Sequence, residues 1–192
     1  MSPRRRLDQE LVRRGLVEGR GTARDVIQAG RVTVDGAPAD KAARLVDPGQ
    51  AVVVTGPPPK YVSRGGRKLE AALDRFGIDP TGHRVVDVGA STGGFTDCVL
   101  QRGAVSVVAI DVGRGQLHQR LMVDDRVAVH ERTNVRGVDG TALGAPFGLL
   151  VADLSFISLR TVMADLVGLV ADGATLVLLV KPQFEAGKAE VD

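Results

Sequence analysis

The chain has 192 residues, of which 44% are hydrophobic and 25% are charged, as is usual for a globular protein. The longest apolar run, residues 174–180, is too short to span a bilayer, and the basic N-terminus lacks the apolar core of a secretion signal. Cys98 is the only cysteine, so no intramolecular disulfide framework can form. We therefore expect a cytoplasmic protein without a membrane span.

Charge is distributed unevenly along the chain. Residues 1–68 carry 14 lysines and arginines against 7 acidic residues, whereas residues 69–192 carry 11 against 16. A basic head on an acidic body indicates that the head binds a polyanion. A solvated basic surface without such a partner is the alternative that charge alone leaves open.

The basic head predicts a small α+β module. A first helix is indicated by apolar residues that share one face, Leu7, Leu11 and Val12. A second helix is predicted to begin at Thr22, as its N-cap, and to end at Gly30. Short strands follow at 32–34 and 51–54, and Asp35-Gly36 is typical of a tight turn.

A proline-rich segment, residues 57–60, predicts a linker, because proline lacks a backbone donor and holds the chain extended. Beyond it, near-continuous apolar strands alternate with candidate helices, a pattern typical of a parallel α/β sheet buried on both faces. The predicted strands are Arg84–Val88, Val105–Asp111, Val127–His130, Leu149–Asp153 and Ala174–Lys181.

A glycine-rich loop connects the first of these strands to a helix, in the segment from Asp87 to Phe95. Glycines there let the backbone approach a ligand closely at the carboxyl end of the strand. Asp111 ends the next strand, 22 positions after Gly89, where a carboxylate can accept the ribose hydroxyls of a nucleoside. The spacing Gly-x-x-x-Gly-Gly differs from the dinucleotide fingerprint and resembles the methyltransferase loop that holds S-adenosylmethionine. A turn that needs glycine for its shape alone is the alternative.

Three charged residues stand where a reaction could use them. Lys68 is predicted just ahead of the first helix beyond the linker, and Asp153 and Lys181 each end a strand. The carboxyl ends of parallel strands open on one edge of the sheet, so we expect these side chains to converge beside the glycine loop. Cys98, on the helix after that loop, is expected to be a buried structural thiol.

Five segments of the chain resemble the TlyA (haemolysin-A-like) family: residues 61–69, 87–103, 131–137, 151–159 and 179–188. The catalytic domain of that family resembles the FtsJ-type RNA 2′-O-methyltransferases, and residues 4–54 resemble the S4-type RNA-binding domain. The resemblance implies a Rossmann-like, S-adenosylmethionine-dependent methyltransferase domain over residues 61–192. It also implies a small α+β S4-type domain over residues 1–56, with the linker at 57–60.

The resemblance further implies S-adenosylmethionine-dependent 2′-O-methylation of ribose in ribosomal RNA, with cytidine as the target base. Ribosomal RNA or ribosomal subunits are the expected partners, and neither a membrane nor a metal is expected. The family uses a Lys-Asp-Lys-Glu tetrad, whose first three members map onto Lys68, Asp153 and Lys181. We expect Lys181 to be the base, with Lys68 and Asp153 orienting it and the ribose, and Lys68 as the next candidate.

Two sets of binding residues follow from these patterns. The residues expected to contact the cofactor lie in and after the glycine loop: Asp87, Gly89, Ala90, Ser91, Gly93, Gly94, Phe95, Asp111 and Asn134. The residues expected to contact RNA phosphates are basic residues of the head: Arg4, Arg5, Arg6, Arg13, Arg14, Arg20, Arg24, Arg31 and Lys41. Helix faces alone leave the relative importance of the basic residues open.

The fourth member of the family's tetrad, a glutamate on a later strand, has no match before Asp192. Glu185 belongs to the segment Lys-Pro-Gln-Phe-Glu and Glu190 has no matching motif, so neither is expected to replace it. We therefore expect a C-terminal truncation with little or no methyl transfer, and a catalytically incomplete RNA-binding fragment is the alternative function. A membrane-lytic haemolysin is not supported, since the sequence has neither an apolar span nor a long basic amphipathic helix.

Overall fold

The computed structural model describes residues 3–17, 19–57 and 59–186. The chain divides into two compact units, Met1–Lys60 and Tyr61–Asp192. Pro58 of the predicted linker and Glu190 lie outside the described residues. Within the described ranges, no helix is both long enough and apolar enough to cross a membrane.

The first unit is a small α+β module, as predicted. Its two helices are α1 (Leu7–Arg13) and α2 (Arg20–Gln28), and its strands are β1 (Arg5–Arg6), β2 (Val32–Val34), β3 (Ala37–Pro38), β4 (Leu45–Val46) and β5 (Val52–Val54). Strand β2 pairs antiparallel with β3 and β5, and β1 pairs antiparallel with β4. The turn between β2 and β3 has positive φ at both Asp35 and Gly36, as a tight hairpin turn requires.

The core of this unit forms between the helices and the sheet. Apolar residues of α1, α2, β2, β4 and β5 are buried together: Leu7, Leu11, Ala23, Val26, Ile27, Val32, Val34, Val46 and Val52. The prediction that Thr22 caps α2 is wrong, because the helix begins at Arg20 and its N-cap is Gly19 in an extended conformation. Gly19 is among the residue types that suit an N-cap, and no side-chain cap bond forms at this helix end.

The second unit is a parallel α/β sheet, which confirms the predicted fold class. Its strands are β6 (Arg84–Val88), β7 (Ser106–Ile110), β8 (Val127–His130), β9 (Phe147–Ala152) and β10 (Val170–Leu178), in the order β10-β9-β6-β7-β8. Its helices are α3 (Arg64–Phe76), α4 (Gly94–Gln101), α5 (Gln119–Met122), α6 (Leu159–Gly168) and α7 (Pro182–Glu185).

Helices pack on both faces of the central strands of this sheet. Successive side chains of a strand point to opposite faces, so neighbouring residues pack against different helices. Val85 on one face of β6 packs in a cluster with apolar residues of α3 and α4. Its neighbour Val86 faces the other side and packs with Val162 and Leu166 of α6. The central strands β6, β7 and β9 are therefore mainly buried, whereas the outer strands β8 and β10 are partly exposed.

Strand β6 marks the place where the strand order reverses. It pairs in parallel with β7 on one side and with β9 on the other, so the connections leaving its carboxyl end separate there. Open α/β sheets bind ligands in the crevice at such a switch point. The loops after β6, β7 and β9 therefore define the region in which a functional site is expected.

Two expected positions differ in detail from the structure. Lys68 lies inside α3 rather than ahead of it, because the helix already begins at Arg64, after its N-cap Ser63. Lys181 does not end a strand, since β10 ends at Leu178 and Lys181 is the N-cap of α7. Pro182 explains the second difference, because proline cannot donate to a strand ladder and suits the first position of a helix.

Candidate functional site

The glycine loop lies at the carboxyl end of β6, and its backbone is shaped by three residues with positive φ. Gly89 and Gly93 have φ of 84° and 91°, and Ser91 has φ of 49°. The backbone N–H of Ser91 donates a hydrogen bond of 2.7 Å to Oδ2 of Asp111, just after β7. The loop is thus tied to the end of the neighbouring strand.

Segments of the chain itself approach the loop closely at its glycines. A Cβ at Gly93 would overlap Leu121, and a Cβ at Gly94 would lie 2.8 Å from the backbone nitrogen of Gly66 in α3. A Cβ at Gly89 would lie 2.9 Å from the carbonyl oxygen of Asp153. Close packing against the protein therefore requires glycine at these positions.

A cleft opens between the glycine loop and the ends of β7 and β8. It is lined by Ala90, Ser91, Ala109, Asp111, Gly113, Gln116, Leu117, Val129, His130 and Glu131. The carboxylate of Asp111 is held in place, because Oδ1 accepts the backbone N–H of Gly113 and Oδ2 that of Ser91, both at 2.7 Å. A fixed carboxylate beside an apolar wall has the chemistry that a ribose and a base require.

Asp87 lies beneath the loop and is fully buried. Its Oδ2 accepts two hydrogen bonds from Thr96, from the backbone N–H at 2.9 Å and from the hydroxyl at 2.6 Å, whereas Oδ1 has no hydrogen-bond partner among the described residues. Burial raises the pKa of Asp87 to about 7, against the hydrogen bonds from Thr96 and with a smaller contribution from the charges of Asp153 and Asp111. The contacts of Asp87 place it below the loop, holding the start of α4.

Three other predicted residues lie away from the cleft lining. The ring of Phe95 is buried in the core cluster on the α3 side of the sheet, and Cys98 is buried there too, as predicted. Asn134 is exposed, and its Oδ1 accepts the backbone N–H of Arg136 at 3.0 Å. Of the nine residues expected to contact the cofactor, Ala90, Ser91 and Asp111 line the cleft.

Lys68, Asp153 and Lys181 converge, as expected. The Nζ of Lys68 lies 3.7 Å from Oδ2 of Asp153, and the Nζ of Lys181 lies 2.6 Å from Oδ1. Lys181 contacts Oδ1 of Asp153 as an ion pair and also donates a hydrogen bond of 2.7 Å to Oγ of Ser155. Two ammonium groups thus share one carboxylate directly after β9, and the carbonyl of that same residue borders the glycine loop.

An exposed aromatic residue beside this cluster was missed by the sequence prediction. Phe156 is 91% exposed, has a positive φ of 65° and packs its ring against that of Phe184, with the centroids 5.4 Å apart. Phe156 lies one residue after Ser155, the hydrogen-bond partner of Lys181. A bulky residue at positive φ is unusual and often marks a functional segment. No sequence signal predicts this conformation, although an aromatic residue so close to Asp153 could have been considered.

The hydrogen bonds of Glu185 are with Ser158 and Leu159, at the start of α6. Its Oε1 accepts the backbone N–H of Leu159 and its Oε2 accepts the hydroxyl of Ser158, both at 2.7 Å. The hydrogen bond from Leu159, followed by that from Ser158, lowers the pKa of Glu185. Glu185 therefore caps α6 and ties the segment that follows Lys181 to the loop that follows Asp153.

In the first unit, five of the predicted RNA-binding arginines fall into two groups around buried carboxylates. Glu10 is buried and pairs with Arg13 at 2.5 Å and Arg14 at 2.7 Å. Arg14 also donates to the carbonyl oxygens of Gln50 and Pro48, at 2.7 and 3.1 Å. The hydrogen bond from Arg13 lowers the pKa of Glu10 to about 2, against its burial and with help from Arg14. Arg14 is therefore largely committed to internal contacts.

The second group surrounds Asp8, whose side chain is fully buried. Arg6, Arg20 and Arg24 approach this carboxylate at 3.0, 3.0 and 3.7 Å. Burial opposes ionisation of Asp8, but the hydrogen bonds and charges of Arg6 and Arg20 outweigh it and lower the pKa to about 2.

The remaining four predicted RNA-binding residues are not grouped around one carboxylate. Arg31 donates to the carbonyl oxygens of Thr55 and Pro57, and Arg4 pairs with Asp47 at 2.9 Å. Arg5 and Lys41 are exposed. The structure thus separates exposed basic residues from those, such as Arg14 and Arg31, that bind the backbone of their own unit.

Comparisons with known proteins agree with this two-part architecture. The FtsJ-like methyltransferase family matches residues 61–192, and the S4 domain family matches residues 5–52. The 16S/23S rRNA (cytidine-2′-O)-methyltransferase TlyA of Mycobacterium tuberculosis is 53% identical over 192 residues, which cover all of this chain and 72% of the relative. Hemolysin A of Brachyspira hyodysenteriae is 39% identical over 188 residues, covering 97% of this chain and 78% of the relative.

A solved structure of a hemolysin from Streptococcus thermophilus superposes with a TM-score of 0.73 and 39% identity, covering all of this chain and 71% of that one. The methyltransferase family implies a methyl donor of the S-adenosylmethionine type for the second unit. The family match covers most of the chain, and the close relatives span both of its units. The chain therefore belongs to the TlyA family, with an S4 domain followed by an FtsJ-like methyltransferase domain.

Proposed function

We propose that this protein transfers a methyl group from S-adenosylmethionine to the 2′-hydroxyl of a ribose in ribosomal RNA, with cytidine as the target base. The observation that supports this most is the convergence of Lys68, Asp153 and Lys181 directly beside the glycine loop. The activity named for the relative from M. tuberculosis supports the choice of substrate. Ribosomal RNA is a cytoplasmic substrate in bacteria, so the protein acts in that compartment.

The residues around Asp111 have the chemistry to hold the nucleoside part of S-adenosylmethionine. Asp111 would accept the ribose hydroxyls on the lone pairs left by the two backbone N–H groups that it already binds. Leu117 and Val129 would contact the base, and Ala90 and Ser91 would border the ribose. When bound, the cofactor supplies an electrophilic methyl group on a sulfonium.

The chain's own residues would prepare the ribose hydroxyl for attack. The bound cofactor would supply the methyl group to the 2′-oxygen, and Lys181 would act as the general base that takes up the proton of the 2′-hydroxyl. Ser155 holds Lys181 in place through the hydrogen bond of 2.7 Å, and Asp153 orients both lysines. Lys68, more exposed than Lys181, would orient the ribose. In-line alignment of the reacting atoms is the main requirement of such a transfer.

The S4 domain would hold the RNA through its exposed basic residues. Arg4, Arg5, Arg6, Arg13, Arg20, Arg24 and Lys41 are the proposed contacts to phosphate. Arg14 and Arg31 contribute mainly to the structure of the unit, because they bind its backbone carbonyls. Contacts to phosphate position the RNA without reading its sequence, so the choice of nucleotide rests on the methyltransferase domain.

The function is tested by incorporation of tritiated methyl groups from S-adenosylmethionine into purified 16S and 23S ribosomal RNA and into ribosomal subunits, using the whole gene product. We expect incorporation at cytidine ribose, mapped by the pause of reverse transcriptase at 2′-O-methylated positions. Replacement of exposed Asp172 by asparagine serves as a control that leaves the site intact. Salt-dependent RNA binding without any methyl transfer would favour the alternative of a catalytically incomplete RNA-binding protein.

Phe156 is predicted to stack on the target base. Stacking of a nucleobase on an aromatic ring contributes about 1–3 kcal/mol, so the change Phe156→Ala should lower kcat/KM for RNA accordingly while cofactor affinity is retained. The change Phe156→Leu keeps apolar contact but removes the ring, and should lose most of the same activity. Phe76→Ala is the matched control, because Phe76 is also exposed but ends α3, well after Lys68. Equal kcat/KM for the wild type and Phe156→Ala would contradict the stacking role.

A further inference from the structure

The buried carboxylate of Asp8 connects the two helices of the S4 domain. Asp8 lies in the first turn of α1, and its Oδ1 accepts the backbone N–H of Gln9 at 3.1 Å and the guanidinium of Arg6 at 3.0 Å. Its Oδ2 accepts a hydrogen bond of 3.0 Å from Arg20 of α2, and Arg24 lies 3.7 Å away. Arg20 and Arg24 are one helical turn apart, so they share the face of α2 turned toward Asp8.

The three arginines remain accessible although the carboxylate is not. Their side chains are 40%, 52% and 55% exposed for Arg6, Arg20 and Arg24, whereas Asp8 is fully buried. One negative charge faces three positive charges, so the group keeps a net charge of about +2 near the surface. Each guanidinium has five N–H donors in a fixed plane, and a single carboxylate occupies only some of them. The N–H donors that Asp8 does not occupy can bind a phosphate of the RNA.

We propose that Asp8 is a positioning residue for RNA binding, which holds Arg6, Arg20 and Arg24 in one arrangement that receives a backbone phosphate. This inference rests on the proposed function of the S4 domain. An unconstrained arginine side chain loses its rotamer entropy when it binds RNA. Because Asp8 orders the three arginine side chains beforehand, less entropy is lost on binding, and the group presents a preformed site.

The direction of the change in RNA affinity distinguishes a positioning role of Asp8 from a purely electrostatic one. The change Asp8→Asn removes a negative charge from a basic domain, so long-range electrostatics alone would strengthen RNA binding. If Asp8 positions the arginines, the same change weakens binding, because the amide cannot hold three guanidinium groups. A role confined to joining α1 and α2 would lower thermal stability but would leave the affinity of the folded protein unchanged.

The experiment measures the dissociation constant of the whole protein for 23S ribosomal RNA transcript at several salt concentrations, with thermal unfolding measured on the same samples. At temperatures where the variant is folded, we expect Asp8→Asn to raise the dissociation constant for RNA about tenfold. The matched control is Asp40→Asn, which removes the charge of an exposed carboxylate in the same unit and should leave binding equal or tighter. Binding of Asp8→Asn that equals or exceeds that of the wild type overturns the inference.

A double variant, Arg20→Lys with Arg24→Lys, keeps the inference testable even where Asp8→Asn does not fold. It retains both charges but replaces planar guanidinium groups by ammonium groups that cannot bind Asp8 and a phosphate in the same geometry. We expect weaker binding with an unchanged dependence on salt, and wild-type affinity in this variant would also overturn the inference. A wild type that shows no salt-dependent RNA binding would instead refute the proposed function, and the role of Asp8 with it.

Discussion

Replacing Lys181 by alanine is expected to lower the rate of methyl transfer by about 10²- to 10⁴-fold, the usual contribution of a general base. Lys181 is held within 2.7 Å of Ser155 and 2.6 Å of Asp153, so its loss removes the proton acceptor without opening the cofactor cleft. Affinity for S-adenosylmethionine should therefore stay nearly unchanged, because the base acts on the reacting hydroxyl in the transition state. Tritiated-methyl incorporation and cofactor titration on the same samples measure the two effects.

Two comparisons make the assignment of the base testable. Lys181→Arg keeps the positive charge beside Asp153 but offers no usable base, so it should be as inactive as Lys181→Ala. Lys68→Ala should reduce the rate less, since Lys68 is 3.7 Å from Asp153 and more exposed. Full activity of Lys181→Ala would require reassignment of the base, with Lys68 the next candidate.

Replacing Asp111 by alanine is expected to weaken binding of S-adenosylmethionine by about 1–3 kcal/mol, since ribose hydroxyls would lose their acceptor. The change also frees the backbone N–H groups of Ser91 and Gly113, so the glycine loop loses its connection to the end of β7. Isothermal titration calorimetry measures the affinity directly.

The matched control for Asp111 is Glu131→Gln. Glu131 lines the same cleft, but its carboxylate accepts the N–H of Gly115 and does not contact the glycine loop. Glu131→Gln should leave the affinity for S-adenosylmethionine nearly unchanged. A larger loss from Glu131→Gln than from Asp111→Ala would move the ribose contact to Glu131, and equal affinity for Asp111→Ala and the wild type would remove Asp111 from the site.

The parallel sheet and the convergence of the charged cluster followed from sequence patterns. Buried parallel strands are nearly continuous apolar runs, and residues directly after them must meet at one edge of the sheet. This is why Asp153 could be placed beside Lys181 without coordinates. Segments with ambiguous local signals were placed less well. Lys68 was expected ahead of α3 but lies inside it, and a side chain at Gly66 in the first turn of that helix would overlap Tyr61.

The partners of surface charges and the direction of isolated side chains could not be predicted. Nine basic residues of the head looked equivalent in sequence, but Arg14 folds back onto carbonyl oxygens 34 and 36 positions away, whereas Arg20 stays half exposed. Phe95 stands in the glycine loop motif and still turns into the core. Such outcomes depend on tertiary contacts that no local pattern encodes.

Asp153 contacts both the glycine loop and the two lysines. Its carbonyl oxygen limits the space at Gly89, and its carboxylate faces the two lysines. One residue thus contacts both the cofactor loop and the proposed base. Asp153 therefore links the backbone at Gly89 to Lys181 without an intervening residue. A substitution at Asp153 is therefore expected to affect the glycine loop and the two lysines together, rather than either one alone.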